Sequence, residues 1–168
     1  MRKKRLYILP FDHRSGFIKI FGFDEKNLTE RQAATLSDYK HIIYEGFLAA
    51  LKMGLPRRSG AKAGVRKEDA AILVDEEFGA KIHEEARAAG ITRILTTEKS
   101  GQDEFDFEYS EAFKEHINKL KPDYVKVLVR YNPADDKEMN ERQVARLKIM
   151  NDFCAEAGYK FLFELLAV

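Results

Sequence analysis

The sequence holds a single cysteine, no tryptophan and only four prolines in 168 residues. One thiol cannot close an internal disulfide, so the fold is expected to rest on its core, in a reducing cytoplasm. Cys154 falls within a helical pattern with no histidine near it, and reads as a small core residue rather than a nucleophile. An excess of one charge is also missing. With 29 Lys and Arg against 28 Asp and Glu, the net charge is +1, which leaves no electrostatic case for nucleic acid or an anionic membrane. No apolar run approaches the roughly 18 residues of a spanning helix. The basic start, Arg2 to Arg5, leads only into Leu6-Tyr7-Ile8-Leu9, without the length or cleavage site of a signal peptide. No two His or Cys have metal-ligand spacing, so neither a metal nor another cofactor is expected. His41, His83 and His116 lie in helical patterns and read as surface or packing residues.

What the chain does have is alternation. Leu6 to Asp12 is short and apolar, and stops at the polar run Asp12-His13-Arg14-Ser15-Gly16. A long helix follows, with Thr29 and Gln32 as a capping box, apolar Leu36, Ile43, Phe47 and Leu51 at helical spacing, and Gly54 and Pro56 as its stop. Arg57 to Lys67 is basic and reads as a loop. The pattern then repeats: strand Ala71–Val74, helix Gly79–Ala89 closed by Gly90, strand Ile91–Thr97, helix Ser110–Leu120 closed by Pro122. Strand Tyr124–Tyr131, helix Asp135–Ala157 closed by Gly158, and strand Tyr159–Val168 complete it. Five strands alternating with four main helices, with no internal linker, predict one α/β domain over residues 1–168 built on a parallel sheet.

Two architectures satisfy that alternation. A doubly wound dinucleotide fold needs a glycine-rich turn after its first strand, and the turn here has one glycine among charged residues. Instead, Asp12, Asp75, Glu76, Glu98, Lys99 and Arg130 stand at strand carboxyl ends, where a (βα)8 TIM barrel builds its active site. The barrel is the expectation. The run Asp75-Glu76-Glu77 reads as solvated rim charge, because adjacent side chains diverge.

Two charges lie inside strands. Lys126 sits between Val125 and Val127, and Glu164 between Phe163 and Leu165. Side chains alternate across a strand, so Lys126 shares a face with Leu128 and Arg130, and Glu164 with Leu162. A charge facing the packed helices would be buried without a partner at several kcal/mol. The other face lets opposite charges on neighbouring strands meet, and Asp12 is expected to complete the cluster. Carboxylates that move protons beside an ammonium that holds an oxyanion suit a carbon–carbon lyase. His13 follows Asp12 as a candidate acid or base, or as a plain hydrogen-bonding residue.

The segment Tyr7-Ile-Leu-Pro-Phe-Asp-His-Arg-Ser-Gly-Phe17 resembles the opening of the aldolase domain fused behind a sugar kinase in bacterial inositol breakdown. That domain is similar to the tagatose-bisphosphate aldolases, class I enzymes with a (βα)8 barrel. Ile72-Leu-Val-Asp-Glu-Glu-Phe-Gly79, Thr97-Glu-Lys-Ser-Gly101, Val125-Lys-Val-Leu-Val-Arg-Tyr131 and Phe161-Leu-Phe-Glu-Leu-Leu166 resemble the later strand motifs, in order and along nearly the whole chain.

The resemblance implies a partial TIM barrel that cleaves 5-dehydro-2-deoxyphosphogluconate to dihydroxyacetone phosphate and malonate semialdehyde, without metal. It implies that Asp12 is the first-strand catalytic aspartate, Lys126 the substrate-positioning lysine and Glu164 the proton shuttle of Schiff-base chemistry. His13, Arg14, Glu98, Lys99 and Arg130 are expected to bind the phosphorylated substrate. The family's Schiff-base lysine stands on the sixth strand, so the five strands here are expected to be inactive alone. Their open edges are expected to be met by further chain or by self-association. The rival expectation is a non-catalytic phosphosugar-binding or assembly module.

Overall fold

The computed structural model describes residues 5–53, 65–134 and 136–167. The chain forms two compact units, Met1–Arg93 and Ile94–Val168. Its strands are β1 (Tyr7–Pro10), β2 (Ala70–Val74), β3 (Thr92–Thr96), β4 (Tyr124–Tyr131) and β5 (Lys160–Ala167). Its helices are the short α1 (Ser15–Ile20), then α2 (Glu30–Met53), α3 (Ala80–Ala88), α4 (Phe113–Leu120) and α5 (Lys137–Ala157). Strand order through the sheet follows the chain, β1-β2-β3-β4-β5, and the β1–β2, β3–β4 and β4–β5 pairs are parallel. A doubly wound sheet reverses its order at a switch point. This one does not. The fold is α/β with five parallel strands in the order of an open half-barrel and four main helices.

In the first unit the capping box forms as the sequence implied: Gln32 Oε1 accepts from the Thr29 amide at 2.9 Å, and Thr29 Oγ1 accepts from the Gln32 amide at 3.3 Å. All five residues of β2 are buried, as befits a strand covered on both sides. Phe11, Tyr44, Ile72, Val74, Ile82, Ala86 and Ile91 make one core cluster. Ile18, Leu36 and Phe78 make a second, with Phe17, Phe21 and Phe23 packed on it. The inward positions of α2 include Leu36, Lys40 and Tyr44, whereas Ile43 is exposed. Of the apolar positions at helical spacing, Ile43 thus lies outside the core, and a lysine that finds a buried carboxylate takes an inward place. Gly54, Pro56 and most of the Arg57–Lys67 loop lie outside the described residues, as do Arg2 and Asp135.

In the second unit, Val125, Val127 and Val129 of β4 enter a core with Ile117, Leu120, Met150, Phe153 and Cys154. Their parity turns Lys126 to the opposite face. Burial pushes the Cys154 thiol up to about 11, as suits an inert core residue. Asp136 caps α5 by accepting from the Glu138 amide at 2.9 Å. At its far end Gly158 takes φ +76°, letting the Tyr159 amide reach Cys154 O at 2.9 Å. β5 stands at the sheet edge with Phe163 and Leu165 45% and 53% exposed.

Candidate active site

β3 carries Thr96 at its end, with Glu98 two residues beyond, β4 carries Lys126, and β5 carries Glu164. In register, Lys126 pairs with Leu162 and Leu128 with Glu164, so lysine and glutamate are diagonal neighbours on one face. The Lys126 Nζ lies 2.8 Å from Glu98 Oε1 and 3.2 Å from Glu164 Oε2. Thr96 Oγ1 accepts from the same ammonium at 3.4 Å and donates to Glu98 Oε1 at 2.8 Å. Lys126 is 2% exposed, Glu98 13% and Glu164 46%. One positive and two negative groups therefore meet, closed at the ammonium and open to water at Glu164. Such a set can hold a developing oxyanion at the lysine and carry a proton on the exposed carboxylate.

Glu98 is placed by the loop that bears it. Glu98 forms an antiparallel bridge with Phe107, the Glu108 amide donates to Thr97 O at 3.0 Å, and the Lys99 amide to Asp106 O at 2.9 Å. Phe105 and Phe107 are buried in the core. Glu104 accepts from Arg142 at 3.0 and 2.9 Å and from Arg146 at 2.5 Å. The two guanidinium groups hold its carboxyl down at about 2. Buried Gln143 accepts from the Phe105 amide at 2.8 Å and donates to Arg130 O at 3.2 Å. The loop is thus fastened to α5 by charge and by backbone.

The other site candidates make contacts of their own. Lys99 is exposed. Arg130 is exposed and donates through Nη1 to Gln102 O at 3.2 Å, so it braces the same loop. Asp12 (half-buried), His13 (exposed) and Arg14 (buried) belong to the first unit. There Asp12 and Arg14 act electrostatically on Lys40 of α2. Lys40 is 1% exposed, forms an ion pair with Asp75, and lies 5.6 and 5.7 Å from the ring centres of Phe17 and Phe78. Burial lowers its pKa even though Asp75 and Asp12 favour the charged form.

The second Asp75 oxygen accepts from the Phe78 amide at 2.8 Å. Asp75 and Glu76 are buried, which corrects the reading of a solvated Asp-Glu-Glu rim; only Glu77 is exposed. The reason is Lys40, whose ammonium neutralises Asp75 inside the fold. Sequence reasoning missed Lys40, Thr96 and Gln143. Lys40 alone left a trace, one turn from Leu36 and from Tyr44 on the core-facing stripe. His83 is buried with Nε2 3.2 Å from Val74 O, and His116 stacks on Tyr109.

No helix among the described residues is long and apolar enough to cross a membrane. A comparison with curated proteins finds no match. Over residues 1–168 the chain belongs to the family described as "Uncharacterized protein conserved in bacteria (DUF2090)".

Proposed function

We propose that this chain supplies the first five strands of a class I barrel aldolase acting on a phosphorylated sugar or sugar acid. By resemblance the substrate is 5-dehydro-2-deoxyphosphogluconate, cleaved to dihydroxyacetone phosphate and malonate semialdehyde in the cytoplasm. The observation that most supports this reading is the Lys126 ammonium between Glu98 and half-exposed Glu164. In the proposed reaction Lys126 holds the substrate oxygen that gains charge, and Glu164 shuttles the proton, being the member of the set that water and substrate reach. Asp12 is the aspartate of the first strand. His13, Arg14 and Lys99 are proposed to meet the substrate, and Arg130 to keep the Glu98 loop in place.

An ammonium bonded to two carboxylates is a poor nucleophile. The covalent step is therefore assigned to a lysine on a sixth strand, and the five strands described above are proposed to supply binding and proton transfer. Borohydride is added to the protein carrying the remaining strands, together with substrate, and the mass is read. A trapped adduct is expected, and no adduct would count strongly against the enzyme. The rival reading is a non-catalytic phosphosugar-binding module, favoured by the same engaged state of Lys126. It predicts saturable calorimetric binding of the phosphorylated sugar acid in both proteins and no adduct in either.

A further inference from the structure

We infer that the outer face of α2 pairs with the same helix of a second copy of this chain, antiparallel and crossing at Gly46. On the face turned away from Leu36, Lys40 and Tyr44, Tyr39, Ile42 and Met53 are 48%, 58% and 80% exposed, and Gly46 and Ala49 are exposed between them. Steps of three and four residues put these five in one narrow stripe, the spacing of a helix-pairing seam. Surface helices ordinarily turn charge, not this, to water.

Gly46 is the telling residue. It is mid-helix, where glycine is less stable than alanine. A Cβ built on it would meet nothing within 4 Å, and its φ is not positive. Nothing among the described residues calls for a missing side chain there. A second helix crossing at close range does, because the absent Cβ lets the two backbones approach.

Charge selects the occupant and the direction. Asp38, Glu45 and Lys52 flank the stripe at seven-residue spacing. In an antiparallel pair centred near Gly46, Asp38 stands opposite Lys52 of the second copy, and the two-fold axis repeats the contact. A parallel pair would set Asp38 beside Asp38 and Lys52 beside Lys52. At the centre Glu45 faces its own copy, and His41 Nδ1 lies 3.4 Å from Glu45 Oε1 as a local counter-charge when protonated.

The test is sizing by sedimentation together with site-specific crosslinking of the 168-residue chain. Sedimentation at tens of micromolar is expected to give twice the chain mass. Glu45→Cys chains, which keep Gly46 and carry the thiol at the two-fold centre, are expected to join by disulfide at least tenfold faster than Glu141→Cys chains; the two residues are 63% and 65% exposed, and buried Cys154 stays out of the reaction. Ile42→Glu is expected to leave a monomer with unchanged circular dichroism. Asp38→Lys should weaken the dimer at least tenfold, and Asp38→Lys with Lys52→Asp should restore it. A monomeric wild-type chain, equal crosslinking at 45 and 141, or a charge reversal that fails to restore pairing would each overturn the inference. So would a dimer indifferent to Ile42→Glu, which would assign association to the sheet edge.

Discussion

Among the described residues each compact unit hides one lysine among apolar residues, and the two are solved differently. Lys40 comes from a helix and meets Asp75, whose other oxygen is taken by the Phe78 amide; both charged groups are 1% exposed. That pair is closed. Lys126 comes from a strand and meets two carboxylates, one of which is half open to water. A closed pair, with both charges shut away from water, holds structure. An open set with an excess carboxylate can exchange a proton with something outside. The contrast teaches that a buried charge by itself says little about chemistry; the exposure of its partner decides.

The sharpest way to break this comparison is to remove each cation in turn. Lys40→Met strands Asp75 in the core, and about 3–5 kcal/mol of unfolding free energy should be lost in urea titrations. Asp75→Asn added to it should recover most of that loss. Lys126→Met should cost less, about 1–3 kcal/mol, because Glu164 can be hydrated and Thr96 still donates to Glu98. Equal losses in the two variants would erase the distinction between closed and open sets.

A smaller effect sharpens the placement of Glu98. The Glu104 carboxyl sits at about 2 instead of its ordinary 4.5. A depressed carboxylate contributes stability that is complete above pH 4.5 and fades as pH falls toward 2. Wild-type chain should therefore lose stability across that window, and Glu104→Gln should show a flatter acid profile there. An unchanged profile would mean the arginines do not fasten the loop.

Much of this arrangement was legible in the residues. The bounds of β4 agree at both ends, Tyr124 and Tyr131, because a valine-rich run between a proline and a polar turn has few alternatives. The shared side of Lys126 and Glu164 followed from period two, and the meeting of Lys126 with Glu164 agrees with it. Helix faces were harder. Ile43 and Lys40 are three residues apart, and hydrophobicity alone favoured the isoleucine. The lysine is inward because the carboxylate of Asp75, just past β2, stands on that side. Arg130 was legible as a strand-end charge, but its bond to the Gln102 carbonyl of the neighbouring loop was not.

By itself the sequence determined the order of strands and helices, the strand parity and the helix stops, since these depend on residues a few positions apart. Which charges became pairs was decided only by tertiary structure. Lys40 and Asp75 are 35 residues apart, and Lys126 and Glu98 are 28 apart. Over such separations a side chain's partner depends on which backbone folds beside it, and no local pattern encodes that distance.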